Sequence, residues 1–574
     1  MTRETPKMTD CRFVIAAFVL VTAICTCYGE VISVTYDRNT LEYKIHKYEV
    51  IGWVAIAEYS NHINTTGWAY LNVRTSTKYS DVHQAFAAGL VEAASSKDLI
   101  YAHWINTVQG YCTIPLSTYC TRLQKFLQTN LDWMNQQIKA NSDTQGYWHM
   151  VKLFLTQVDG LSKGYQLSKE SPQWSSLRYS GRESTDLDPL GFYLFQIQGD
   201  LEDLESVLGK PQKSRVFGSG SCSALIKLFP GNKDLYVSHD TWSTYQSMVR
   251  ILKRYNFAYH SNDGGLVPGN SMTFSSYPGT ILSADDYYLI NSGLATLETT
   301  IGNGNKDLWI YVQPKGAVLE GIRVMTANRL ATDGQTWTNL FSEYNSGTYN
   351  NQWMIVDYNK FKPGSTNMTG LLYVLEQIPG NIEFGDCTDV LMKQGYWPSY
   401  NIPYYPLIFN MSGVPASVAK YGDWFSYDGS PRAKIFKRDV GNVDSLQTMM
   451  KLMRYNDFQH DPEGKCACVP PYSGENGISA RCDLNPANGT YPFGALGHRS
   501  HGGIDMKLTN MTMFKSQQFI AIGGPTYDQQ PPFQWSKSDF GQTTPHLNQP
   551  DLWKFGPVMF DGTVDYQHFE KNRG

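Results

Sequence analysis

This sequence has little charge for its length. Only 17% of its 574 residues are Asp, Glu, Lys or Arg, and the signs nearly cancel, 48 basic against 52 acidic. No basic stripe or block occurs, which argues against nucleic-acid binding, a mode that needs clustered Lys and Arg facing phosphates. Long apolar runs are scarce as well. Beyond residue 29 no stretch reaches the roughly 20 apolar residues that cross a bilayer, so no transmembrane segment is expected once the N-terminal segment is removed. No internal repeat of solenoid length is visible. Cysteine is sparse, with ten in all. What remains is 41% hydrophobic and 13% aromatic, which suits a globular protein with a large core.

The apolar run that does stand out is Phe13 to Cys25, preceded by Lys7 and Arg12 and followed by small residues up to Gly29. Its 13 residues are few for a span and fit the h-region of a secretory signal. Residues 1–29 are therefore expected to be a signal peptide, with a signal anchor as the alternative. That points to a secreted protein or one of the lysosomal lumen. Five Asn-x-Ser/Thr triplets, at Asn64, Asn367, Asn410, Asn488 and Asn510, agree with a glycoprotein of such a compartment. Cys11, Cys25 and Cys27 would leave with the signal, and the remaining seven are an odd number. In an oxidising lumen at least one thiol is then unpaired unless it pairs between chains. Cys112 and Cys120 flank a short loop through Pro115 and are expected to form a disulfide. Cys466, Cys468 and Cys482 cluster in a Pro/Gly-rich loop and are expected to supply a second. Cys466 and Cys468 are its candidates, with the roles of Cys482 and Cys387 left open. Zinc, with His460 nearby, is the rival for that cluster, but Cys-x-Cys lacks the usual ligand gap. No metal or other cofactor is expected.

Taken in order, Glu30 to Val73 reads as strands and turns, with candidate strands at 31–36, 51–56 and 67–73. Asp81 can cap a helix whose Val82, Ala85, Phe86, Gly89, Leu90 and Ala93 share a face. Further helices are expected after Pro115 and over about 147–161. Gly160-Leu161-Ser162-Lys163-Gly164 matches the nucleophile-elbow pattern, but that pattern needs a preceding strand, and the residues before it look helical. It reads instead as a helix C-terminus with a glycine cap. Residues 165–215 are polar and turn-rich and can hold a surface linker. Ser243 to Tyr255 reads as an amphipathic helix, and strands are expected at 287–290, 294–301, 308–312, 353–357 and 371–375. A helix carrying Trp337 and Phe341 follows Val318–Met325. Strand runs bracketed by helices suggest layered sheets covered by helices.

The rest of the chain is organised around 217–229. Phe217-Gly-Ser-Gly-Ser is a small-residue leader that runs straight into Cys222, which heads a strand pattern with Ala224, Ile226 and Leu228 on its face. Pro230-Gly231-Asn232-Lys233-Asp234 is a turn, since Pro fixes φ while Gly and Asn tolerate positive φ. A second strand pattern, Leu235 to Trp242, follows. Folding a hairpin about Asn232 brings residues 239–242 beside Cys222, so a thiol, an imidazole and a carboxylate converge. A buried cysteine in a core hairpin is the bland alternative.

A cysteine heading a strand after Gly-Ser-Gly-Ser resembles the precursor of an N-terminal-nucleophile hydrolase. Longer motifs agree: Phe217-Gly-Ser-Gly-Ser-Cys-Ser-Ala-Leu-Ile-Lys, Ser238-His-Asp-Thr-Trp, Leu297-Glu-Thr-Thr-Ile, Ser399-Tyr-Asn-Ile-Pro-Tyr, Ser430-Pro-Arg-Ala-Lys-Ile-Phe and Asp483-Leu-Asn-Pro-Ala-Asn-Gly-Thr-Tyr. They are similar to the phospholipase B-like family, also called laminal ancestor-like proteins, over essentially the whole chain after the signal. The resemblance implies an α+β fold, a four-layer αββα sandwich with Cys222 at the edge of one antiparallel sheet. It implies autocatalytic cleavage of the Ser221–Cys222 bond into fragments 30–221 and 222–574 that stay associated in one body. By the same comparison His239 and Asp240 lie beside the nucleophile, Asn401 is an oxyanion donor and Arg432 an electrostatic clamp. Trp242, Thr299 and Thr300 are expected to line the substrate pocket. Each has a structural alternative: Asp240 can cap a helix starting near Ser243, and His239 can be a satisfied sheet-edge histidine. Asn401 can serve a turn before Pro403, and Arg432 can pair with Asp428 or Asp439. The expected activity is hydrolysis of fatty-acyl bonds in phospholipids through a Cys222 thioester. An amidase acting on N-acyl lipids or peptides and a lumenal lipid-binding protein are the alternatives.

Overall fold

The computed structural model of the chain describes residues 29–170, 177–178, 191–211, 213 and 222–569. Ser221, and the expected signal segment apart from Gly29, lie outside the described residues.

Several strands are buried along their whole length, among them Cys222–Leu228, Leu294–Thr300 and Asn351–Asp357. A strand with both faces covered favours apolar residues at successive positions; residues 353–356 supply them, whereas Leu294–Thr300 also buries Thr296 and Glu298. The cover comes from two stacked sheets and two helical layers. In spatial order the larger sheet runs Asn381–Asp386, Leu372–Ile378, Asn351–Asp357, Leu294–Thr300, Tyr287–Ile290, Ser271–Ser276, Ile251–Asn256, Trp68–Thr75, Ala55–His62, Glu30–Asp37, Glu42–His46 and Leu177–Arg178. Its pairings are antiparallel except that between Trp68–Thr75 and Ile251–Asn256, which is parallel. The smaller sheet runs Tyr396–Ser399, Cys222–Leu228, Leu235–Thr244, Asp505–Thr509, Phe519–Gly523, Val558–Phe560 and Gln567–His568, with His501–Gly503 also paired to Leu235–Thr244.

Side-chain alternation sorts the core into three layers of packing. Ala224, Ile226 and Val237 of the smaller sheet meet Tyr70, Leu297 and Met354 of the larger one. Behind the larger sheet, Trp353 and Ile355 pack with the helices Asp81–Thr107 and Gly146–Glu170. Behind the smaller sheet, Leu225 and Leu508 pack with Ile435, Phe436 and Met449 of two helices, Pro431–Asp439 and Leu446–Met453. The order is helix, sheet, sheet, helix: an αββα sandwich.

Several local expectations give way to tertiary context. The predicted helix over Ser243–Tyr255 is instead the end of one strand, a three-residue 3-10 turn at Tyr245–Ser247 and the strand Ile251–Asn256. Its supposed polar face is buried: Arg250 pairs with Asp285 and with Asp505 at 2.9 Å, and Lys253 with Glu92 at 2.7 Å. Residues 308–312, expected as a strand, fall mostly in a 3-10 helix over Lys306–Tyr311, because the Asn305 side chain accepts from the Asp307 N–H and caps a turn there. The helix at Asp81 has Ser80 as its N-cap; Asp81 is its first residue and accepts instead from His149 and His260. The helix around Ser162 continues to Glu170, so Gly160 and Gly164 are not caps. They are contact points. A Cβ on Gly160 would lie 2.1 Å from the Phe86 carbonyl oxygen, and one on Gly89 would lie 2.2 Å from that of Gln157, so only glycine permits this helix crossing. Part of the expected linker, 193–207, is helical, in Tyr193–Gln196 and Gln198–Val207.

Candidate active site

The hairpin expected about Asn232 is present. Gly231 and Asn232 take positive φ in the turn, and the register pairs Cys222 with Thr241, Ser223 with Asp240 and Ala224 with His239. Paired residues share a face, so Cys222, Ala224, His239 and Thr241 point toward the larger sheet. Ser223, Asp240 and Trp242 point away from it.

On the inner face the Cys222 thiol meets His239 and a residue the sequence reading passed over, Glu298 of Leu294–Thr300. One donor atom from each lies within 4.8 Å of the other two, and all three are buried. His239 Nε2 donates to the Glu298 carbonyl oxygen at 2.9 Å, which leaves Nδ1 as the unprotonated nitrogen, 3.5 Å from Thr241 Oγ1. Lys507 Nζ donates to that same hydroxyl at 2.5 Å and to Asp505 at 2.8 Å. Burial holds His239 well below the ordinary histidine range, and Lys507 adds to this. The ring is therefore neutral. Burial also pushes the Cys222 thiol up, as does the Glu298 carboxylate. Glu298 is itself raised, by burial and then by Asp286 and Glu320. Its Oε1 accepts from Tyr349 at 3.3 Å, while Oε2 has no hydrogen-bond partner among the described residues.

On the outer face stands Arg432, the second residue of the helix Pro431–Asp439, whose N-cap Ser430 accepts from the Ala433 N–H. Its Nη1 donates to the Cys222 carbonyl oxygen at 2.6 Å and to Ser223 Oγ at 3.2 Å, and its Nη2 to the Tyr400 carbonyl at 2.8 Å. The guanidinium lies 4.3 Å above the Trp242 ring. Arg432 is thus buried against the strand that Cys222 heads and is not paired with Asp428 or Asp439. Burial lowers its pKa to about 10, which leaves it charged at any physiological pH. Asp240 does not join the thiol. It sits on this outer face near Gly503, where a Cβ would lie 2.7 Å from its Oδ1, and burial with Asp505 pushes its carboxyl well up. It caps no helix either, since none starts at Ser243.

A cavity of about 330 Å³ adjoins Arg432. Its walls include Ile301, Trp309, Tyr400, Asn401, Ile402, Trp424 and Phe425, with Glu202, Asp203, Lys213 and Lys306 among its charged residues. Asn401 borders it in a left-handed conformation, φ 70°, with Nδ2 donating to the Thr300 carbonyl at 2.7 Å and Oδ1 without a partner among the described residues. The expected pocket residues Trp242, Thr299 and Thr300 lie behind these walls. Trp242 is under Arg432 with its indole N–H on the Ile478 carbonyl, and Thr299 bonds Ser399 at 2.6 Å.

Two disulfides form, Cys112–Cys120 and Cys466–Cys468, while Cys222, Cys387 and Cys482 are free and buried. His460 sits on Asp457 at 2.7 Å, away from any cysteine ligand set. Asn64, Asn367, Asn410 and Asn488 are exposed, whereas Asn510 is half-buried, capping a short helix and donating to Asp234. No described helix is long and apolar enough to cross a membrane. Glu298 carried one readable signal: a lone acid inside an otherwise uncharged strand, Leu294–Thr300, bought at a desolvation cost that calls for a reason.

Comparison with known proteins bears on this arrangement. The phospholipase B family model matches residues 55–560. The human protein named "Putative phospholipase B-like 2" is 54% identical over 513 residues, covering 88% of this chain and 85% of its own length. Its Caenorhabditis elegans namesake is 44% identical over 508 residues, covering 88% and 85%. Phospholipase B-like protein B of Dictyostelium discoideum is 39% identical over 523 residues, again covering 88% and 85%. With a family match spanning both sheets and the Cys222 hairpin, the chain belongs to the phospholipase B family.

Proposed function

We propose that the chain is a lumenal acyl hydrolase that cuts itself between Ser221 and Cys222 and then removes fatty-acyl groups from phospholipids through a Cys222 thioester. The observation that carries this reading is the placing of Cys222. It is the first residue of a core strand, with its thiol beside the neutral His239 ring and its carbonyl held by Arg432. The relatives' names supply the substrate class.

In the uncut chain the Cys222 nitrogen is an amide and cannot act as a base. The thiol therefore gives its proton to His239 Nδ1 as sulfur attacks the Ser221 carbonyl carbon. The C–N bond breaks, the proton passes to the departing nitrogen, and a Ser221 thioester remains on Cys222. Water hydrolyses it, leaving a Ser221 carboxylate, a free thiol and a new α-amine. That amine, with an ordinary pKa near about 8, becomes the base of turnover. It takes the thiol proton as sulfur attacks the lipid ester carbonyl, returns it to the departing alcohol, and water then releases the fatty acid. In this reading Asn401, whose Nδ2 spends one proton on the Thr300 carbonyl, gives its second to the developing oxyanion. Arg432 fixes the nucleophile strand while charge develops beside it.

Association of fragments 30–221 and 222–574 is supported by the parallel pairing of Trp68–Thr75 with Ile251–Asn256, which joins both parts in one sheet. Two disulfides and four exposed sequon asparagines support a secreted or lysosomal protein. The test is mass-spectrometric mapping of new N-termini on the purified protein, with turnover of a diacyl phospholipid measured against its N-acyl counterpart. A terminus at Cys222 and faster ester turnover are expected. Faster amide turnover makes the protein an amidase, and lipid binding without turnover of either makes it a carrier.

A further inference from the structure

We propose that Cys222, His239 and Glu298 also form a binding site for a single zinc-type divalent cation, and that the bound cation holds the thiol out of reaction. The three side chains offer one sulfur, one nitrogen and one oxygen within 4.8 Å of one another. A tetrahedral zinc with bonds of about 2.0–2.3 Å spaces its ligands at roughly 3.3–3.8 Å, so side-chain rotations of about an ångström close the site. Mixed sulfur, imidazole and carboxylate donors are a zinc-compatible set.

Two further observations point to a cation. His239 already has the outer hydrogen bond that metal-bound imidazoles use: Nε2–H donates to a backbone carbonyl at 2.9 Å, which leaves Nδ1 as the nitrogen with a lone pair to give. Glu298 Oε2 is fully buried without a hydrogen-bond partner among the described residues. A carboxylate oxygen in that position is costly unless a proton or a cation meets it. Two of the neighbouring cations are already paired, Lys507 with Asp505, and Arg250 with Asp285 and Asp505.

Binding would displace the thiol proton and any proton on Glu298, and the sulfur lone pair that attacks an acyl carbon would be taken by the metal. If the chain is cut at Ser221–Cys222, the new α-amine adds a fourth donor and closes a five-membered N,S chelate; this tightening alone rests on the function proposed above. A second cluster, Glu475, Cys482 and His501, has the same donor types. There Arg499 donates to Glu475 at 2.9 Å and to the Cys482 sulfur at 3.5 Å, so a guanidinium already supplies the positive charge.

The experiment titrates Co²⁺, then Zn²⁺, into the full-length, chelator-treated protein, reading the sulfur-to-cobalt charge-transfer band and tetrahedral d–d bands. One equivalent is expected, lost in Cys222→Ala, weakened at least tenfold in His239→Ala and Glu298→Gln, and kept in Cys482→Ala. On the wild-type protein, Zn²⁺ should block iodoacetamide labelling of the Cys222 peptide and a chelator should restore it, a readout that requires no variant to fold. Binding that is absent, survives Cys222→Ala or disappears in Cys482→Ala overturns the site. N-terminal mapping on the same samples separates the two proposals. Cobalt binding that needs Cys222 in a protein with no terminus at 222 keeps the site and removes self-cleavage, whereas a cut protein without binding removes the site alone.

Discussion

Two buried thiols in this molecule have nearly the same company, yet the hydrogen bonding around them differs. Cys222 meets His239 and Glu298; Cys482 meets Glu475 and His501. Around Cys482 the hydrogen bonds close on themselves. Its sulfur donates to Glu475 at 2.7 Å, Arg499 bonds both, and burial and then Glu475 push the thiol well up. Such a thiol is a structural donor. Around Cys222 the circuit is open: no hydrogen bond ties the thiol to its neighbours His239 and Glu298 among the described residues, and Glu298 Oε2 is unpartnered there as well. Residue types do not make a nucleophile. Unspent hydrogen-bonding capacity beside it does.

The largest expected effect breaks the pair apart. Cys222→Ala should leave the chain uncut and lower acyl turnover by orders of magnitude, since no side-chain nucleophile remains. Cys222→Ser should cut slowly and incompletely, because a hydroxyl is far less nucleophilic than a thiol. Cys482→Ala should cut and turn over normally while losing about 1–3 kcal/mol of stability, as Glu475 loses a donor and a small void opens. Gel mobility, N-terminal sequencing and an acyl-hydrolysis assay on the three purified variants decide it. A new terminus at 222 in Cys222→Ala would mean that another protease cuts there, and retained lipid hydrolysis would move the active site elsewhere.

A smaller effect is expected where an arginine, rather than the thiol, is changed in each cluster. Arg432 spans the Cys222 and Tyr400 carbonyls with its two nitrogens, and a lysine ammonium cannot reproduce that fork. Arg432→Lys should slow self-cleavage by about tenfold or more while the fold survives. Arg499→Lys should change stability but not the cleavage rate. A time course of precursor conversion for both variants is the measurement. Equal rates for Arg432→Lys and wild type would show that the clamp does not position the nucleophile.

The contrast between the clusters was only half legible in the sequence. The hairpin could be read because its information is local: a Pro-Gly-Asn turn between two alternating runs sets the register. The sandwich was legible through family motifs rather than periodicity. Strand alternation could also have put Asp240 on the far face, since pairing Cys222 with Thr241 requires it, yet proximity in sequence suggested otherwise. Arg250 and Lys253 misled for a different reason. They resemble a solvated helix face until their buried partners, Asp285, Asp505 and Glu92, arrive from distant segments. Glu298 belongs to the same class, since its meeting with Cys222 depends on stacking two sheets.

The smallest expected effect tests why acids near one thiol hold protons while Glu475 near the other is matched by Arg499. Behind the Cys222 cluster lies Asp200, buried, accepting from Thr348 and from the Glu320 N–H at 3.2 Å. Burial raises its carboxyl to about 6, from an ordinary value of 3.8. The folded chain thus keeps a proton that the unfolded chain releases near pH 4. The resulting stabilisation is complete below pH 4 and is lost as pH rises through about 6, on the order of 2–3 kcal/mol across that window. Stability should therefore rise on acidification from neutral pH toward 4.5. Asp200→Asn keeps the acceptor oxygen for Thr348 and Glu320 but carries no titrating proton, so its stability should vary less with pH. Thermal melts of both proteins from pH 4.5 to 8 measure the two slopes. Parallel curves would show that Asp200 is ionised when folded, and that this interior tolerates an uncompensated charge that the Cys482 cluster must pair.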